Sequence, residues 1–179
     1  SEPHRSYHDL SHLLRVLESI DALVTAREHP ELVAAAWFHD AVHQGQAGTD
    51  ERQSADLARN RLKLAGWSRS ACDRVAQLIL ATLEHTPDAD DADAQVLVDA
   101  DLSILGTDEA TYREYARDVR DEYRHVPDRE FAPARAEILS RLLDKPALFH
   151  TERGFLLWEE RARNNVRREI SALQALARH

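Results

Sequence analysis

Six residues in this chain combine metal-ligating chemistry with an apolar setting: His12, His39, Asp40, His85, Asp99 and Asp101. Each stands next to positions that a helical core would bury. The adjacent pair His39-Asp40 closes the run "AAAWFHD" and leads into "AVHQG". Buried charge is costly unless it is paired or coordinated, so one ion shared among these groups is the simplest reason to bring them inside together. Imidazole and carboxylate ligands without thiolate suit Mn, Fe, Zn, Ni or Co. Neighbouring residues on a helix point about 100° apart. His39 and Asp40 therefore reach one ion only if it lies between their directions, which fits a helix that ends nearby, at Gly45 or Gly48.

These residues need a scaffold, and 179 residues with 43% hydrophobic and 31% charged content are enough for one domain with a real core. The net charge of −9 argues against a nucleic-acid polymer as partner, because phosphate contacts need clustered Lys and Arg. A small phosphorylated substrate in a local basic pocket stays compatible with it. No apolar run approaches the ~20 residues that span a bilayer, so no membrane role is expected. The polar start "SEPHRSYHDL" shows no signal-peptide pattern, and the single Cys72 suits a reducing compartment. Together these give an expected cytoplasmic location.

The pattern is helical nearly throughout, which predicts an all-α bundle of roughly seven to eight helices. The first helix should run from about Tyr7 to Ala26, with Leu10, Leu13, Leu14, Leu17, Ile20 and Leu23 as its stripe and His12 at the border. The second should start at Pro30 and reach about His43. The third should start behind Thr49 with Asp50 and Glu51 in its first turn, and stop at Gly66. Ser68 or Ser70 opens a fourth that reaches His85. "TPDADDAD" is a solvated loop, and "AQVLVDADLSIL" is a short helix that stops at Gly106. Three more follow: one to Pro127, one through "APARAEILSRLLDK" to Pro146, and one from about Arg153 to Arg178. The expected organisation is one domain over 1–179, with a core at about 7–126 and C-terminal helices at about 128–178. "RNNVRRE", Arg163 to Glu169, reads as an exposed face. The charged last helix is either solvated or paired with a second subunit.

The order His … His-Asp … Asp on successive helices resembles the HD superfamily of metal-dependent phosphohydrolases. More narrowly, "YHDLSHLLRVL", "WFHDAVHQGQAGTDERQSADLA", "LILATLEHTP", "VDADLSILG" and "EYRHVPDREF" resemble a bacterial family described as predicted metal-dependent HD phosphohydrolases. The likeness runs from Glu2 to about Leu173. It implies that His12, His39, Asp40 and Asp101 are the metal ligands, with Asp99 as the competing choice for the last. Two-metal HD enzymes add histidines, one of them before a Glu. Here Asp50-Glu51 stands in that place, so one divalent ion is expected, Mn, Fe, Ni, Co or Zn, with Mg as an alternative and two ions as the minor case, in which His85 would take a second-site position. HD proteins that hydrolyse alarmone nucleotides carry Glu-Asp shortly after the pair. Here His43 and Gln44 fall there, against that activity.

The implied reaction is hydrolysis of a small nucleotide or phosphomonoester by metal-activated water. Asp40 would ligate and orient the water, Glu51 would act as acid/base, and His85 would contact phosphate or protonate the leaving group. His43, Arg120 and Arg161 are the candidate substrate contacts, the arginines for their bidentate fork. Plainer readings compete: Glu51 as a helix cap, His85 as a helix end, the two arginines as solvated. His8 is read as either supporting His12 or capping its helix, and His4, His29, His125, His150 and His179 as surface residues. The alternative functions are a nucleotide-sensing HD module without turnover and a di-iron oxygenase, the latter disfavoured by the missing second-site histidines.

Overall fold

A computed structural model describes residues 10–46 and 48–176. The expected start at Tyr7 and the readings of His4, His8 and His179 lie outside these residues. Among the described residues the chain forms eight α-helices, two short 3-10 helices and no strand. The helices are α1 (Leu10–Leu23), α2 (Pro30–Phe38), α3 (Asp50–Leu64), α4 (Arg69–Ala81), α5 (Ala92–Leu102), α6 (Glu109–Glu122), α7 (Asp128–Leu143) and α8 (Glu152–Leu176). The all-α expectation is met. No described helix is long and apolar enough to cross a membrane.

Helix ends follow local chemistry. Ser68, not Ser70, caps α4, its hydroxyl accepting the Ala71 amide at 3.2 Å. The Asp108 carboxylate accepts the Ala110 and Thr111 amides at the start of α6. Gly66 ends α3 at φ +86°: its amide donates to Lys63 and the Trp67 amide to Leu62, the two bonds of a Schellman motif.

The chain divides into two compact units, one over Leu10–Asp101 and one containing residues 102–176. In the first, α3 packs on α4, and α2 packs on α1, α3 and α4. Its core holds Val16, Ile20, Leu32, Val75, Leu78, Ile79 and Leu97, all fully buried. Ala35 and Ala36 of α2 are also fully buried, small enough to let neighbouring helices come close. Trp37, from the same run, is half exposed. On α1 the buried face is His12, Val16, Ser19 and Ile20, while Leu10 and Leu14 of the expected stripe are 62% and 50% exposed. The helix is thus rotated toward the histidine.

In the second unit α8 packs on α7 and α6 and on the 3-10 turn Ser103–Gly106. The expected exposed face "RNNVRRE" is corrected here: Asn165 and Val166 are buried, and the Asn165 amide donates to the Leu105 and Thr107 carbonyls. Arg163 donates to the carbonyls of Leu143, Lys145 and Pro146. Fixed partners let these polar groups pack inside, while Asn164, Arg167 and Arg168 of the same run stay exposed. Gly106 is required by proximity. A Cβ there would lie 2.4 Å from Trp158 Cβ and 2.8 Å from its Cα. Gly106→Ala is expected to destabilise by about 1–3 kcal/mol through overpacking, read as a lower midpoint in urea unfolding.

Candidate metal centre

The site is built inside the Leu10–Asp101 unit. α2 ends at Phe38, about five residues before the sequence suggests, so His39 and Asp40 lie in the turn that follows it. His39 Nδ1–H donates to the Ala36 carbonyl at 2.8 Å. That bond fixes the ring and leaves Nε2 for the site.

His12 of α1 brings its Nε2 to 3.0 Å from His39 Nε2. Asp40 Oδ2 lies 3.3 Å from the first and 3.2 Å from the second. Asp101 Oδ1, on α5, lies 3.4 and 3.6 Å from the same two atoms. His12, His39 and Asp101 form a group whose ligand atoms all lie within 4.8 Å of one another, and this group can hold a metal ion. Two ligands at right angles on bonds of about 2.1 Å stand about 3.0 Å apart, and a tetrahedral pair somewhat farther. The observed spacings fall in that range, and an N/O donor set fits a divalent first-row ion.

Asp101 and Asp99 are two residues apart on α5 and so point to different sides of it. Asp101 is the one in the cluster; Asp99 is fully buried and belongs to no metal-competent group among the described residues. His85 joins through the other Asp101 oxygen, its Nε2 donating to Oδ2 at 3.3 Å. α4 ends at Ala81, so His85 sits in the following turn, at φ +48°. A left-handed backbone is uncommon for a non-glycine residue, and here it accompanies a side chain engaged in the site.

The electrostatics are those of a coupled cluster. Burial works against charge on His39, but Asp40 and Asp101 outweigh it and hold its pKa well above the ordinary imidazole value. His12 is raised in the same way, burial being overcome by Asp101 and Asp40. Burial would raise Asp101, yet bonds from His12, His39 and His85 hold it well below the usual carboxylate range. In the metal-free protein the raised imidazoles stabilise the fold fully below about pH 6.5, and this is lost as pH rises through their folded values. The depressed Asp101 contributes above about pH 3.9, and that is lost as pH falls through its folded value. Chelator-treated protein is therefore expected to lose stability as pH rises from about 6.5, whereas an ion, which needs unprotonated imidazole, stabilises more as pH rises. Thermal melts from pH 5 to 9 with EDTA or with Mn check this; parallel curves would refute it.

The loop after the pair is tied to α3 by residues whose role the sequence reading missed. The Asp50 carboxylate accepts the Gln44 and Gln46 amides through Oδ2, each at 2.8 Å, while Ser54 Oγ accepts the Val42 amide at 3.0 Å. Asp50 is 95% buried, so it is a loop anchor rather than a surface acid at a helix start. Its sequence signal was an Asp in a first turn, which suggests only a helix dipole. Thr49 precedes α3 as expected, but its side chain makes no cap bond. Glu51 accepts the Gly48 amide at 2.6 Å, the capping arrangement. His43 is half-buried in the loop. His29, read as surface, pairs with Asp93 at 2.8 Å.

Arg120 and Arg161 belong to the other unit. Arg120 donates to Asp128 and to the Tyr123 and Val126 carbonyls and lies over the Phe131 ring, joining the end of α6 to α7. Arg161 is exposed and donates to the Leu157 carbonyl one turn back. No family model, no curated protein and no solved structure matches this chain.

Proposed function

We propose that this chain is a metal-dependent phosphohydrolase of the HD type, acting on a small nucleotide or phosphomonoester. The observation that carries the proposal is the convergence of His12 Nε2, His39 Nε2 and Asp101 Oδ1, with Asp40 Oδ2 3.2–3.3 Å from both imidazoles. The order of these residues along the chain is that of the HD motif, which supports the same reading. His12, His39, Asp40 and Asp101 would hold one ion. When bound, it would supply Lewis-acid polarisation of a phosphate oxygen and a lowered pKa for water.

The remaining roles belong to the chain itself. The Ala36 carbonyl keeps His39 in the ligating tautomer. Asp101 presents one oxygen to the ion-holding imidazoles and the other to His85. His85, 28% exposed and bonded to Asp101, would give a proton to a leaving oxygen. Asp50 and Ser54 keep the loop behind Asp40 in place. Glu51 spends one carboxylate oxygen on the Gly48 amide, which favours its capping role over proton transfer.

The test is metal analysis of the purified protein, followed by phosphate release from nucleoside monophosphates, sugar phosphates and an aryl phosphate with Mn, Co, Ni or Mg. Turnover that stops with chelator and returns with one metal is expected. A protein that takes up none of these ions would sink the reading. A bound ion and a bound nucleotide without turnover would make it a sensing module instead, and two tightly held irons per chain would indicate an oxygenase.

A further inference from the structure

Arg15 lies on α1, one turn beyond His12, at the i+3 position that shares its face. Helical side chains lean toward the helix N-terminus, so Arg15 projects back over the turn that carries His12. Its Nε is buried and has no hydrogen-bond partner, and among the described residues no carboxylate pairs with its guanidinium. Most of the other arginines near buried positions are engaged: Arg74 with Asp91, Arg135 with Glu169, Arg163 with Glu159. A guanidinium nitrogen withdrawn from water without a partner is unfavourable, and such groups are normally satisfied. Among the described residues nothing takes this N–H, which leaves it to an acceptor supplied by a ligand.

The charge of the centre points the same way. Two carboxylates, Asp40 and Asp101, neutralise a divalent ion, so a loaded site offers a phosphate dianion little net attraction. One arginine beside the first histidine restores it, and its planar fork matches two phosphate oxygens. We propose that Arg15 is the anion-binding residue of this centre, taking the oxygens of a terminal phosphate that the ion does not. This rests on the metal-hydrolase reading and adds to it a substrate class, a terminal phosphomonoester rather than an internal diester, which carries one charge less.

Mn-loaded wild-type protein titrated with inorganic phosphate, and with methyl phosphate and dimethyl phosphate, provides the test. Phosphate and methyl phosphate are expected to bind, and dimethyl phosphate far more weakly. Arg15→Gln should weaken phosphate by about tenfold or more, with Arg15→Lys in between, since a point charge replaces the fork. Mn content and melting temperature should stay at wild-type values in both, a pattern that a merely structural arginine would not produce. With a hydrolysed substrate, Arg15→Gln should raise KM more than it lowers kcat. Phosphate affinity unchanged within twofold in Mn-loaded Arg15→Gln, or no phosphate binding by the wild type, overturns the assignment. Arg15-dependent phosphate binding without turnover of any ester would remove the hydrolase reading and leave Arg15 in place. If no ion binds, the same titration on metal-free protein decides Arg15, since binding that ignores the substitution refutes it.

Discussion

If the chain is the metal-dependent phosphohydrolase proposed, His39→Ala is expected to strip the ion from the protein and to lower kcat/KM by at least about 10³-fold, because the ion would polarise the phosphate. His39 and His12 each stand at three of the short contacts of the cluster. The His39 Nε2 lies 3.0 Å from His12, 3.2 Å from Asp40 and 3.6 Å from Asp101. Its Nδ1 is held by the end of α2. Alanine leaves one imidazole facing two carboxylates. Elemental analysis should show metal per chain falling from about one toward zero, with turnover lost in parallel. Undiminished turnover in a folded His39→Ala protein would mean that the chemistry lies elsewhere. His85→Ala makes the contrast: it removes the contact to Asp101 Oδ2 but no member of the His12–His39–Asp101 group, so the ion should stay while kcat falls about 10²–10⁴-fold, the usual loss when a general acid is removed.

Glu169→Ala should have the largest effect on stability. In the unit containing residues 102–176, Tyr112 donates its hydroxyl to Glu169 Oε2 at 2.5 Å, and Arg135 Nε donates to Oε1 at 3.0 Å. Arg135 Nη2 reaches the Tyr115 hydroxyl at 2.8 Å, and the guanidinium also lies near the face of that ring. The Arg135 and Glu169 side chains are only 13% and 11% exposed. Burial opposes charge on Arg135, and Tyr115 and Glu169 outweigh it, holding its pKa above the ordinary value. Burial and then the Glu169 carboxylate push the Tyr112 hydroxyl up. Removing the carboxylate leaves a buried cation and a buried hydroxyl without their acceptor, a loss of about 3–5 kcal/mol. That corresponds to a melting temperature lower by roughly 6–20 °C for a chain of this size. The exposed pair Arg168–Glu109 is the control, and Arg168→Ala should cost under about 1 kcal/mol. Since the metal-competent residues all lie in Leu10–Asp101, folded Glu169→Ala protein should keep its ion.

Legibility in the sequence tracked the range of the interactions. Pro30 and Gly66 were readable because a helix end depends on a few neighbouring residues, whereas the structure chose Ser68 over Ser70 as the cap of α4. The ends of α2 and α4 were not readable. "AAAWFHDAVH" has helical propensity through His43, yet α2 stops at Phe38 because His39 is turned into the cluster and the following loop is anchored by Asp50 and Ser54 on α3. α4 stops at Ala81, and His85 turns back toward Asp101. Each of these partners is remote in sequence.

The sequence by itself determined the all-α class and the order of the potential ligands. Helical periodicity and capping are properties of short windows, and a polar pair after an apolar run stands out without a structure. Only the tertiary structure decided which side chains converge. It rotated α1 so that His12, rather than Leu10 or Leu14, faces inward. It chose Asp101 over Asp99 and left the Arg15 Nε buried without a hydrogen-bond partner. It also buried Asn165 and Val166 and engaged Arg163 within "RNNVRRE", while Asn164, Arg167 and Arg168 stay exposed. A charged residue carries no local mark of whether another helix will bring it a partner, and its burial is settled by what packs against it.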